Sequence, residues 1–230
     1  LLSIYVTYRE GARVSGDNRP YVRYYLKKID FSQPASAQVG TPINIPGELI
    51  AIDGETILTR DALWGAHIVE TSINKLLVHD GLAYLKGSQR FRDAQVQQIA
   101  LDYAGNVLVS HRLAWRVAYA QDDASSSEVD QSSHLTILDL TSDDLLKLAD
   151  MKVDNWASLR DARAGRALFS IPGGLLVVNI DAPTNPFAQA YFPTMGWPRD
   201  IVVDGDDIYF AGGMYGLYRF GLNDTNLLSQ

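Results

Sequence analysis

The chain has 230 residues, 47% hydrophobic and 20% charged, which is enough for an extensive core and is the composition of a globular protein, not a disordered one. A net charge of −7, with no dense Lys/Arg run beyond "RYYLKK", argues against a nucleic-acid partner. The absence of cysteine removes disulfides, thiolate metal sites and cysteine nucleophiles but leaves the compartment open, and no apolar run reaches the ~18 residues of a transmembrane segment.

In chain order, "LLSIYVTYRE" comes first. It alternates like a strand and lacks the basic start and cleavage site of a signal peptide. It has no initiator Met, so the expectation is a fragment or a processed chain. Four apolar runs ending in Asp then recur: "YYLKKID", "NKLLVHD", "HLTILDL" and "LLVVNID", with Asp30, Asp80, Asp139 and Asp181. Each is followed by a second run, "LIAIDGETILT", "QIALDYAGNVLVS", "LRDARAGRALFS" or "IVVDGDDIYFA". The turn positions of these second runs are Asp53, Asp102, Arg163 and Asp204, so the gaps from first run to turn are 23, 22, 24 and 23 residues. A spacing this steady marks a repeat.

Each second run has a hairpin signature, two apolar strands about a turn rich in Asp and Gly. "SDDLLKLAD", the best helical stretch, falls where the pattern wants a turn and an outer strand. One unit is therefore four short antiparallel strands, A to D, with A as "IVVD", B as "DIYFA", C as "GLYRF" and D as "FAQAYF". Four strands per ~40–50 residues predict an all-β fold, a β-propeller of four-stranded antiparallel blades, with a β-sandwich as the competing architecture. The predicted blade units are 1–46, 47–94, 95–155, 156–198 and 199–230, a single propeller domain or part of a larger ring. The first unit lacks strand A. Unpaired edges favour aggregation, so another segment or chain is expected to complete the ring.

Residues 175–220 carry Leu176 to Asp181, Pro183, Pro186, Asp200 to Gly205, Ile208 to Ala211 and Gly216-Leu217. This unit resembles the LVIVD-type repeat of bacterial and archaeal surface propellers, in which a "GL-x-IVD-x-S-x-P" strand precedes a "DV-x-V-x-G-x-x-AYVA" hairpin. Residues 24–40 keep only the Asp and the Pro, and the third unit keeps only the apolar frame. The resemblance implies a WD-like propeller, secreted or surface-anchored, with no activity attached to the repeat itself.

His67, His79, His111 and His134 form no ligand-spaced pair, and no metal site is assigned. No Gly-x-Ser-x-Gly elbow surrounds Ser88 or Ser170, and "AGGMYG" lacks the lysine and the helix of a phosphate loop. Asp204, Asp206 and Asp207 are weighed as a calcium site and read as turn residues, because the sister turns lose the carboxylates and keep the turn. No cofactor is expected. "NDT", from Asn223, matches a glycosylation sequon.

The informative signal is loop length. Insertions between strands B and C, "TRDALWGAHIVETS" and "SHRLAWRVAYAQDDASSSEVDQSS", are expected as long loops, the acidic Ser-rich part mobile. In a propeller the B–C and D–A loops share one face. Trp64, Arg60 and His67 fall on the first insertion and Arg112, Trp115 and Arg116 on the second, while Trp156, Trp197 and Arg199 fall on D–A loops. Trp and Arg on loops are typical anchors. For Trp156 and Trp197, packing between blades is the competing role. The expected function is a noncatalytic, extracytoplasmic module that binds a protein or polymer through this face. The alternative is a polysaccharide hydrolase or lyase using carboxylates drawn from Glu48, Asp61, Glu70, Asp161 and Asp200.

Overall fold

The computed structural model describes residues 3–12, 21–64, 69–119, 127–195 and 200–225. The alternating apolar runs form strands, and the Asp/Gly positions form the turns between them. The first sheet contains β1 (Ser3–Ala12), β2 (Tyr21–Asp30), β3 (Gln38–Val39) and β4 (Ile43–Ile45). The second runs in order through β5 (Glu48–Asp53), β6 (Thr56–Trp64), β7 (Val69–His79) and β8 (Leu82–Arg92). The third holds β9 (Ala94–Asp102), β10 (Val107–Tyr119), β11 (Ser127–Asp139) and β12 (Lys147–Val153). The fourth holds β13 (Ser158–Arg163), β14 (Arg166–Ile171), β15 (Gly174–Asn179) and β16 (Phe187–Pro193). The fifth has three strands, β17 (Ile201–Asp204), β18 (Asp207–Ala211) and β19 (Leu217–Gly221).

Every pairing among the described residues is antiparallel, and no α-helix occurs among them. The chain is all-β, a succession of β-propeller blades, of which the second, third and fourth are four-stranded meanders. "SDDLLKLAD" is a turn followed by the start of β12, as the repeat requires.

One backbone hydrogen bond recurs in four sheets. At the end of strand C one residue donates its N–H to the carbonyl of the residue before strand B. The pairs are Val78 to Glu55, Leu140 to Asn106, Ile180 to Gly165 and Leu222 to Asp206, at 2.7, 2.9, 2.8 and 2.6 Å. This ladder makes Leu77, Asp139, Asn179 and Gly221 equivalent, since each lies opposite the first residue of its strand B. The sequence frame therefore needs correction. Asp80 and Asp181 lie beyond the position that Asp139 occupies. The equivalent of Asp139 in the fourth sheet is Asn179, whose Oδ1 accepts Asp181 N–H just as Asp30 and Asp139 accept Ser32 and Thr141 N–H. Asp80 instead takes a left-handed turn position beside Gly81, with φ of 49° and 75°.

The chain divides into two compact units, Leu1–Arg92 with Asp143–Leu145, and Asp93–Ser142 with Leu146–Gln230. In the first unit Leu26 and Ile45 pack on Ile57 and Leu76, joining sheets one and two. Also in that unit, Lys75 and Lys86 pair with Asp143 at 3.7 and 3.2 Å. In the second unit Val107, Val109, Leu135 and Ile137 of the third sheet pack against Leu159, Ala167, Phe169 and Val178 of the fourth. The opposite face of the fourth sheet, with Leu168, Leu175, Val177 and Phe192, packs on Val203 and Ile208 of the fifth. Phe192 stacks on Phe220 at 4.2 Å. Strand β14 is thus buried on both faces, which is why "ALF" reads as a continuous apolar run.

Polar side chains tie these turns across sheets. Asp102, 2% exposed, accepts N–H bonds from Ala104 and Gly105 in its own turn and from Gly165 in the next sheet's turn, the last at 2.7 Å. Arg166 binds Asp181 at 2.5 Å and Asn223 at 3.1 Å. Gly165 has φ +72°, and a Cβ there would overlap Asp181 Oδ1, whereas at Gly205 (φ +57°) a Cβ would meet nothing.

Gly165→Ala is therefore expected to cost at least about 1 kcal/mol more than Gly205→Ala, read as unfolding free energy in urea. Phe169→Ala, which empties a fully buried site between two sheets, should cost about 3–5 kcal/mol in the same assay.

Candidate functional site

The two long B–C insertions are not loops. They continue the ladders: β6 and β7 stay paired out to Trp64 opposite Val69, and β10 and β11 out to Tyr119 opposite Ser127. The acidic Ser-rich run enters β11 from Ser127 onward, and its residues 121–126 lie outside the described residues. Strand β9 pairs β10 only as far as Ala114, and β12 pairs β11 only as far as Ser133. Beyond these points the third sheet continues as a two-stranded ribbon.

Polar side chains gather where the ribbon begins. Arg112 lies directly opposite His134 in the ladder, and Thr136 lies opposite Asp150. Arg112 donates to Asp150 Oδ2 at 2.5 Å and to Thr136 Oγ1 at 3.1 Å. The other carboxylate oxygen, Oδ1, is 2.7 Å from His134 Nδ1. His134 Nε2 in turn lies 3.0 Å from Ser132 Oγ. Strand alternation puts Ser132, His134 and Thr136 on one face, so the array follows from the pleat. Partial burial would raise the Asp150 pKa, but hydrogen bonds and charge from Arg112 and His134 outweigh it and hold the carboxyl below its usual range. Asp150 is therefore ionised at neutral pH.

On the opposite face His111 is fully buried, its ring edge-on to Phe169 at 6.0 Å. Gln98 Oε1 lies 2.6 Å from its Nδ1 and Ser133 Oγ 3.3 Å from its Nε2. Desolvation, reinforced by the charge of His134, lowers its pKa from 6.5 to about 4. Ser133 also binds Asn155 through its own N–H and hydroxyl, which pins the D–A turn after β12 to the ribbon. Trp156 sits on that turn, its N–H bonded to Asp154 Oδ1, and is 72% exposed. The packing role considered for it is overturned, because an indole this exposed plugs no gap.

The remaining candidates disperse. Arg60 pairs with Glu48 at 2.9 Å. Trp64, Trp115 and Arg116 lie on ribbon strands and their side chains are outside the described residues, as are His67, Trp197 and Arg199 entirely. Among the carboxylates, Asp161 pairs with Arg163 at 2.6 Å and Glu70 approaches Arg90 at 3.9 Å, while Asp61 and Asp200 are exposed. Asp204 and Asp207 close the β17–β18 turn. Asp207 is bound by Arg219 at 2.7 Å, and that contact, above all, lowers its pKa. His79 lies near Glu55 and Asp80, at 3.5 and 3.4 Å. Ser88 donates to Asn74, and Ser170 accepts from Arg160. Among the described residues no group of three or more His, Asp or Glu is placed to hold a metal ion, and no helix is long and apolar enough to cross a membrane. The array that sequence reasoning missed was partly visible in "SSH", residues 132–134, a Ser and a His two apart on one strand face.

No family model matches the chain, and no curated protein matches it. The chain is similar to a solved structure of a protein from Lactobacillus plantarum at 11% identity, over 95% of this chain and 76% of that one, with a TM-score of 0.32.

Because folded His111 stays neutral while the unfolded chain takes up a proton below about 6.5, its stabilising contribution is complete above that pH and drains as pH falls toward 4. His111→Gln should accordingly shrink the loss of unfolding free energy between pH 7 and 4.5 by about 2–3 kcal/mol, measured by urea titration at both pH values. Asp150 does not confound that window. Its depressed pKa makes its contribution complete above the ordinary carboxylate value and lost only at lower pH.

Proposed function

We propose that the chain is a binding and scaffold propeller that takes a protein or polymer partner at the end of the second unit that carries the β10–β11 ribbon and the D–A turn with Trp156. Trp156 carries this reading. It is a large aromatic left 72% exposed on a turn whose backbone is fixed by Asp154 and by the Asn155–Ser133 bonds. An exposed indole on a turn with a fixed backbone is the kind of group that serves as an anchor in recognition. The resemblance of residues 175–220 to LVIVD-type surface propellers supports an extracytoplasmic setting. A segment or second chain that pairs with β19 at the edge of the three-stranded sheet fits the same reading. A glycosidase-type carboxylate pair gains no support from Glu48, Glu70 and Asp161, each of which lies against an arginine.

The test is a binding screen of soluble polysaccharides and extracellular proteins against the chain and its Trp156→Ala variant. A ligand whose affinity drops at least about tenfold in the variant, with an unchanged melting temperature, supports the proposal. Ligands that bind both forms equally would move the working face elsewhere.

A further inference from the structure

Beyond binding, the geometry points to a chemically reactive serine: we propose that Ser132, His134 and Asp150 form a nucleophile–base–carboxylate array that accepts an acyl group from an activated ester. The distances follow the order such chemistry needs. Ser132 Oγ lies 3.0 Å from His134 Nε2, and His134 Nδ1 lies 2.7 Å from Asp150 Oδ1. With Asp150 ionised, His134 carries its proton on Nδ1 and leaves the Nε2 lone pair for the serine proton. Arg112, on the other carboxylate oxygen, and Thr136 fix the rotamer of Asp150, so both are positioning residues. None of the three members is sealed off. Ser132 is half-buried, and the side chains of His134 and Asp150 are 22% and 23% exposed.

The ribbon also suggests the substrate class. The ladder to β12 stops at Ser133, so β11 from Ser127 to Ser132 presents an edge with no further strand among the described residues. An extended acyl donor, such as a peptidyl or amino-acyl ester, can add along that edge by backbone hydrogen bonds and bring its carbonyl to Ser132. Ser132 Oγ then bonds to the carbonyl carbon as its proton passes to His134 Nε2. The alcohol leaves with that proton, and water hydrolyses the acyl-serine by the same route, releasing the acid.

The probe is a fluorophosphonate, in which Oγ displaces fluoride at phosphorus and His134 takes the proton. The intact chain should be labelled at neutral pH, with the adduct mapped to the Ser132 peptide by mass spectrometry. Ser132→Ala should be unlabelled, and His134→Gln should react at least about 100-fold more slowly. Asp150→Asn should slow labelling and change its pH profile, which a purely structural carboxylate would not do. Melting curves check that each variant is folded. Absence of labelling in the intact chain, an adduct on another residue, or unchanged labelling in folded His134→Gln would each overturn the proposal.

Discussion

The structure depends on register, and register is held by the bond from the end of strand C to the residue before strand B. A slip of one residue would turn every side chain of a strand to its other face. In β14 such a slip would exchange Phe169, directed at the third sheet, with Leu168, directed at the fifth. Both faces of that strand are buried, so neither alternative is tolerable. The bond recurs in four sheets whose sequences share little beyond an apolar residue at the donor: Val78, Leu140, Ile180 and Leu222. Backbone geometry is thus conserved from blade to blade, while side chains at neighbouring positions are free to differ.

Irregularities repeat as faithfully as the ladder does. The outer strand of the second, third and fourth sheets is bulged at the same point, opposite Lys75/Leu76, Ile137/Leu138 and Val177/Val178. The extra residues are Lys86, Leu148 and Gln189. A bulge re-aims a side chain and increases local twist. Lys86 uses this to reach Asp143, and Gln189 to reach the carbonyl of Asp224. Each target lies beyond a C strand, so the bulge supplies a polar tie there.

Much of the fold was legible because period-two alternation and Asp/Gly turns act locally. The A–B turn positions Asp53, Asp102, Arg163 and Asp204 are equivalent in the ladders. The Asp-ended frame failed at Asp80 and Asp181 because Asp serves more than one turn geometry, and sequence spacing does not separate an Asx turn from a left-handed hairpin corner. The ribbons were misread for a related reason. "HRLAWRVAY" has the alternation of a strand, in Leu113, Trp115, Val117 and Tyr119, but its length exceeds a usual blade strand and polar residues crowd its turn. Asp150 was not legible as a partner of His134. The two are sixteen residues apart and meet only through the ladder.

The same ladder explains why reactive groups collect at the ribbon and not in the sheet below it. Successive opposed pairs on one face of β10 and β11 are Leu108 with Leu138, Ser110 with Thr136, Arg112 with His134, and Ala114 with Ser132. The first pair is fully buried, and the second is buried with Ser110 bonded to the Thr136 carbonyl. Burying a charge without a partner costs several kcal/mol, roughly, so charge is admitted only at the third pair, where Asp150 on β12 can still reach it. One step further β12 has ended, leaving Ser132 beside a base with an open strand edge. The position is thus set by two lengths: β12 must extend far enough to bring Asp150 to His134, and stop early enough to uncover Ser132.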